Sequence, residues 1–403
     1  MRTEKVNFKN KNGEDLSGYL ELPLNQDPHN FVLFAHCFTC NKNFFAAKNI
    51  SRTLAQNGYG VLRFDFTGLG ESEGDFADSN FSGNIQDLLA AATYLEEEFK
   101  APSLLIGHSL GGAAVLFAAK ELESVKAVTT IAAPSTTAHV QHLIENNVDE
   151  IEKNGEAKVN IGGRSFKIKK QFLDDIDKHE LKPYLSELRK SLLIMHSPHD
   201  KIVSIKNAEE LYIAARHPKS FVSLDGAEHL LAAEGDATYA GNVIATWASR
   251  YLTIPNKEIP ESNADVVAGL EKEDAFTTRM KAGNHTFLAD EPISAGGKDY
   301  GPTPYQFLSS GLASCTSMTL QMYAKRKKWP LEDVETHVYY SREHEKDCED
   351  CENSNSKIDT FKREIKLYGD LDEKQKKRLL EIADRCPVHK SLTSATNIKT
   401  KLI

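Results

Sequence analysis

Short apolar runs recur through the first 230 residues, and each stops at a polar loop. Phe31-Val32-Leu33-Phe34-Ala35, Gly60-Val61-Leu62-Arg63-Phe64, Leu104-Leu105-Ile106, residues 125–132, Leu192-Leu193-Ile194-Met195 and Ser220-Phe221-Val222-Ser223-Leu224 have the length and composition of strands. Helical spacing occupies about 44–57, closed by Gly58, and 82–99, and a small-residue helical run follows from Ala113. Weak alternation over 6–22, turning at Asn12-Gly13, predicts an N-terminal hairpin. Strands alternating with helices predict an α/β fold built on a mostly parallel sheet with right-handed crossovers. Residues 135–190 break the rhythm with a polar helix, a hairpin around Gly162-Gly163 and a further helix. An insertion at the C-terminal ends of parallel strands sits over the crevice where ligands bind, so this segment reads as a cap. A merely decorative insertion fits the pattern equally well.

The pattern changes after residue 254. Pro255 and Pro260 among polar residues mark 255–264 as a linker between a domain at 1–254 and another at 265–403. Strands are expected at 264–270, 275–281 and 285–289, followed by a glycine- and proline-rich loop over 296–304. The helix expected at 305–327 carries Phe307, Leu308, Leu312, Ala313, Met318 and Leu320, apolar on nearly every face, which predicts burial all round. Strands at 334–341 and 360–368 and a charged amphipathic helix at 372–384 complete an α+β domain.

A length of 403 residues also argues for two or three domains. The net charge of −9, with no basic block, argues against nucleic acid as a partner. No run approaches the roughly 20 apolar residues of a membrane span, and Met1-Arg2-Thr3-Glu4-Lys5 lacks the apolar core of a secretion signal. Six cysteines without such a signal read as thiols, so a cytoplasmic protein is expected.

Candidate chemistry starts at Gly107-His108-Ser109-Leu110-Gly111, between a strand and a helix. A serine on so sharp a bend needs small neighbours two residues away, and the glycines provide them. Asp200 and His229 also follow strands, at the same sheet edge. With His36-Cys37-Phe38 after an earlier strand and the loop from Arg63 to Ser72, these pieces resemble an α/β-hydrolase over residues 1–254. The resemblance implies Ser109 as nucleophile, His229 as general base and Asp200 as the group that orients it. It also implies an oxyanion hole from the N–H groups of Leu110 and Phe38, and a small ester, thioester or related acyl substrate. Cys37 stands where the family often has glycine. Cys37 and Cys40 form a Cys-x-x-Cys without a surrounding redox-fold pattern. His108 reads as a packing residue, and His36 as one that orders its loop.

In the second half, Gly301-Pro302-Thr303-Pro304-Tyr305-Gln306-Phe307-Leu308, Gly311-Leu312-Ala313-Ser314-Cys315-Thr316 and Cys386-Pro387-Val388-His389 resemble the OsmC and organic-hydroperoxide-resistance family over about 265–403. That resemblance implies a thiol peroxidase acting on organic hydroperoxides, with Cys315 peroxidatic and Cys386 resolving, an external dithiol as reductant, and an intertwined homodimer. The family's arginine is best matched by Arg279. Its glutamate is missing, and Tyr305 or Gln306 occupies that region. The other reading makes this half a non-catalytic dimerisation or ligand-binding module, with Cys315 a structural thiol. His344, Cys348 and Cys351 have zinc-like spacing but also suit a solvated acidic loop. No cofactor or metal is assigned.

Overall fold

The computed structural model describes residues 1–137, 147–161, 164–176, 178–255, 259, 262–344 and 357–402. It divides into two compact units, Met1–Lys257 and Glu258–Ile403.

The first unit is built on an eight-stranded sheet. In chain order its strands are β1 (Arg2–Lys9), β2 (Asp15–Leu22), β3 (Asn30–Ala35), β4 (Tyr59–Phe64), β5 (Leu104–His108), β6 (Ala127–Ile131), β9 (Ser191–His196) and β10 (Lys219–Ser223). A separate hairpin, β7 (Glu156–Ile161) and β8 (Arg164–Lys169), intervenes. The spatial order is β1-β2-β4-β3-β5-β6-β9-β10. Only β2 runs against its neighbours, and every pairing from β4 to β10 is parallel.

The apolar runs follow from helices on both faces. Leu33 joins a core with α2 (Phe81–Glu98) and α3 (Leu110–Glu121). Its neighbours Val32 and Phe34 join the opposite core, with α1 (Phe45–Gln56) and α8 (Glu234–Ala248). Every residue of β3 after Asn30 is buried, so alternation never appears in the sequence.

The insertion contributes α4 (Val148–Asn154), the β7–β8 hairpin, α5 (Lys170–Ile176) and α6 (Leu181–Glu187). Its Ala157, Val159, Ile168, Phe172, Ile176 and Leu181 belong to the α2–α3 core. Asp175 accepts from both the N–H and the hydroxyl of Ser82, each at 2.7 Å. The helix α7 (Lys206–Ala214) joins β9 to β10.

The second unit has an antiparallel sheet of β11 (Val266–Gly269), β12 (Thr278–Ala282) and β13 (His285–Ala289). It also has an antiparallel pair, β14 (Asp333–His344) and β15 (Lys357–Tyr368). The central helix α9 (Pro304–Lys327) begins at a capping box made by Thr303 and Gln306. Burial all round, expected for this helix, is not what the chain provides. Leu312, Thr316, Leu320 and Ala324 form a buried stripe at four-residue spacing, while Met318 is 65% and Met322 72% exposed. Leu320 and Ala324 of the stripe pack against α10 (Glu373–Ala383), while Leu308, Met318 and Met322 stay exposed.

Candidate active site

Ser109 sits at the tip of β5 with φ 54° and ψ −126° and opens α3. This is a strained conformation for a residue with a side chain, and it lifts the hydroxyl clear of the sheet edge. The flanking glycines are required by contact. A Cβ on Gly107 would lie 2.2 Å from the Gly111 carbonyl oxygen, and one on Gly111 would lie 2.4 Å from that of His36. The second contact brings the loop after β3 against the first turn of α3. Leu110 is the first residue of α3, where helix N–H groups have no partner within the helix.

Three strand-end loops meet at Ser109. His229, after β10, places Nε2 3.1 Å from Ser109 Oγ, and its Nδ1–H donates to Asp200 Oδ2 at 2.7 Å. Asp200, after β9, accepts the N–H groups of Ile202 and Val203 on its other oxygen at 2.8 and 2.9 Å. Burial works against the Asp200 charge, but His229 and these two N–H donors outweigh it and hold the carboxyl below its usual range.

Two further histidines support this chain. His108, fully buried, donates from Nε2 to the His229 carbonyl at 2.7 Å. Burial and the neighbouring His229 push its pKa down to about 3, so it stays neutral beside His229. It therefore does more than fill space, and the sequence signal was its position inside the elbow. His196 donates to the Val203 carbonyl at 2.8 Å, behind Asp200.

Phe38, in the loop after β3, is buried. His36 ties this loop to the next one: its Nδ1–H donates to the Cys37 carbonyl at 2.8 Å, and its Nε2 accepts the Phe66 N–H at 3.4 Å. The insertion also reaches this loop. Phe172 stacks on Phe38 with ring centroids 4.8 Å apart, and Arg164 donates to the Thr39 carbonyl. Neither cap residue was marked by a motif. The expectation of six thiols needs correction: Cys37 and Cys40 are joined as a disulfide. A hydrogen bond from the Cys40 N–H to the Cys37 carbonyl closes the turn and brings the Cα atoms within 5.2 Å, inside the bridging range.

In the second unit Cys315 and Cys386 are both free thiols; Cys315 is half-buried and Cys386 fully buried. Cys386 caps α11 (Pro387–Thr393), its sulfur accepting the His389 N–H at 3.3 Å. Its α9 neighbour is Thr316, whose hydroxyl is 3.8 Å from the sulfur. Arg279 pairs with Glu271 at 2.8 Å. The arginine beside Cys386 is Arg363, which donates to Thr316 Oγ1 at 2.9 Å and pairs with Asp384 at 2.6 Å. Its sequence signal was a cation on the inward register of β15, between Phe361 and Ile365. Gln306 is committed to the capping box and Tyr305 stacks on Tyr340, so neither stands in for the family's glutamate. Cys348 and Cys351 lie outside the described residues.

A parallel sheet with a serine elbow at its centre, and a histidine and aspartate on later strand-end loops, defines an α/β-hydrolase. The comparisons with known proteins agree. The family model for serine aminopeptidase S33 matches residues 26–145, and that for OsmC-like protein matches 296–401. The esterase domain of a Rhodothermus marinus protein is 50% identical in crystal structure, with a TM-score of 0.53, covering 62% of this chain and 99% of that one. The mitochondrial palmitoyl-protein thioesterase ABHD10 of Mus musculus is 27% identical over 179 residues, 43% of this chain and 59% of that protein. The Rattus norvegicus protein is 30% identical over 128 residues, 31% and 42% respectively. The chain thus spans about half the length of these curated relatives. It belongs to the α/β-hydrolase family in its first unit, where it is similar to an esterase domain, and carries an OsmC-like domain in its second.

Proposed function

We propose that the first unit hydrolyses a small ester, thioester or related acyl bond. The observation that carries this reading is the unbroken hydrogen-bonded chain from Ser109 through His229 to Asp200. Ser109 Oγ attacks the acyl carbon as His229 Nε2 takes its proton. Asp200 stays ionised and stabilises the imidazolium. The tetrahedral oxyanion is met by the N–H groups of Leu110 and Phe38. His229 then protonates the leaving alcohol or thiol, and water releases the acyl group by the same steps. Thioesters fall within this reading because the mammalian relatives are named as thioesterases. The purified chain should hydrolyse p-nitrophenyl butyrate and react with a fluorophosphonate probe. Ser109→Ala should abolish both, and full activity in that variant would end the assignment.

For the second unit we propose reduction of organic hydroperoxides through Cys315 and Cys386, with an external dithiol as reductant, in a homodimer and in the cytoplasm. The OsmC-like match and the two free thiols support it. The uncovered apolar side chains of α9 support pairing with a second copy. No described helix is long and apolar enough to cross a membrane. The second reading, a non-catalytic dimerisation or ligand-binding module, is favoured by Gln306 and Tyr305, which leave the glutamate's place unfilled. Consumption of cumene hydroperoxide with a lipoyl-type dithiol, lost in Cys315→Ser, decides for the peroxidase. No turnover in the wild type, with esterase activity intact, decides for the module.

A further inference from the structure

The turn from Cys37 to Cys40 is used by no step above, yet it surrounds a group that is. Phe38, the second oxyanion donor of the proposed mechanism, and Thr39 lie between the two cysteines. The turn is held by the Cys40 N–H donating to the Cys37 carbonyl at 3.1 Å and by the bond between the sulfurs. On its far side Lys42, wholly buried, anchors the chain through its N–H and its ammonium, both on Asp65 at 2.5 Å. From the cap, Phe172 and Arg164 hold Phe38 and Thr39. The loop is thus held after the cysteines by Lys42 and between them by Phe172 and Arg164, and the cysteine pair is its one covalent closure that chemistry can open. Cys37 is 7% exposed and Cys40 is half-buried, so a small reagent meets Cys40 first.

We propose that Cys37 and Cys40 form a redox-active site in the hydrolase unit, a dithiol–disulfide pair whose state sets where the Phe38 N–H points and so the rate of acyl transfer. The proposal rests on the reading of Phe38 as an oxyanion donor. In the oxidising direction the Cys40 thiolate attacks one oxygen of an alkyl hydroperoxide. The O–O bond breaks, the departing alkoxide takes a proton and leaves as the alcohol, and Cys40 becomes a sulfenic acid. The Cys37 thiol attacks that sulfur and expels water, so two electrons pass from the thiols to the peroxide. In the reducing direction an external dithiol exchanges through a mixed disulfide, is itself oxidised to a disulfide, and returns both cysteines to thiols. The closed turn holds the donor in place, whereas the opened turn leaves it to the noncovalent contacts alone, and it shifts. Losing an oxyanion donor outright costs about 10²–10³ in kcat, and displacement without loss should cost about three- to ten-fold.

The test uses the full chain. One sample is treated with cumene hydroperoxide and one with dithiothreitol, and both are desalted. Alkylation and mass spectrometry then give the state of Cys37 and Cys40, and kcat and KM are measured with p-nitrophenyl butyrate. The expected result is a disulfide at 37–40 in the first sample only and a kcat about three- to ten-fold higher there, with KM within two-fold. Dithiothreitol should reverse the change. Cys40→Ser should sit at the reduced rate and ignore both reagents, which separates this site from Cys315 and Cys386. Equal kcat in the two verified states, a change confined to KM, a pair that never oxidises, or a Cys40→Ser enzyme that still responds would each overturn the proposal. Absence of esterase activity in both states would instead strike the hydrolytic reading itself, and this proposal with it.

Discussion

Asp200→Asn changes one atom's chemistry and almost none of the shape, and the structure shows why it should still cripple the hydrolase. Asp200 uses both oxygens: Oδ2 accepts the His229 Nδ1–H at 2.7 Å, and Oδ1 accepts two backbone N–H groups at 2.8 and 2.9 Å. An amide has one oxygen to offer. Turned toward His229, that oxygen leaves the amide nitrogen facing the N–H groups of Ile202 and Val203. Both donors then lose their partner, and the buried one, the Val203 N–H, does so at a cost of about 1–3 kcal/mol. Turned toward those N–H groups, the oxygen keeps two hydrogen bonds and presents the amide nitrogen to Nδ1. The second arrangement wins, and it forces the imidazole proton onto Nε2, facing Ser109. A protonated Nε2 cannot take the serine proton. The expected loss is about 10⁴ in kcat, equivalent to about 5 kcal/mol of barrier, with KM nearly unchanged. Steady-state turnover of p-nitrophenyl butyrate from pH 6 to 9 measures it. A loss smaller than about 100-fold would refute the reasoning, because it would mean that the tautomer is set elsewhere.

Lys42→Ala removes the ammonium that lies 2.5 Å from Asp65, with both side chains at most 1% exposed, and leaves a buried carboxylate without its cation. Denaturant unfolding should show a loss of about 3–5 kcal/mol, and a loss under about 1 kcal/mol would show that Asp65 finds another partner. Acid should weaken the first unit as the pH falls below the ordinary histidine value. Burial depresses the pKa of His36, His108 and His196 in the folded chain, His108 to about 3. Below the ordinary histidine value of 6.5 the unfolded state therefore binds protons that the folded state refuses. Their contribution is complete above pH 6.5 and falls as pH drops, by up to about 1.4 kcal/mol per unit for each histidine. Urea unfolding followed by Trp247 fluorescence in a Trp329→Phe background should shift to lower midpoints from pH 6.5 to 5, and an unchanged midpoint would contradict this.

Much of the first unit was legible because its rules are local. An apolar run buried on both faces needs no partner to be recognised, and a glycine-flanked serine between strand and helix states its own bend. Strands that end at one sheet edge bring Ser109, Asp200 and His229 together through the parallel topology alone. The central helix of the second unit was less legible. Its apolar content was clear, but how much of it the chain covers depends on neighbours: α10 packs on Leu320 and Ala324, while Leu308, Met318 and Met322 stay exposed.

What the chain decides by itself is therefore the sheet and the strand-end placement of Ser109, Asp200 and His229, since periodicity and strand-end position are properties of short segments. Tertiary structure alone decides which groups hold those residues in place. It joins Cys37 to Cys40, sets His108 under the carbonyl of a residue 121 positions away, and brings Phe172 and Arg164 of the cap onto the loop after β3. It also places Arg363, rather than Arg279, beside the thiol of Cys386 by way of Thr316. The long-range pairings leave no periodic trace, because each depends on where two distant segments pack and not on the spacing within either.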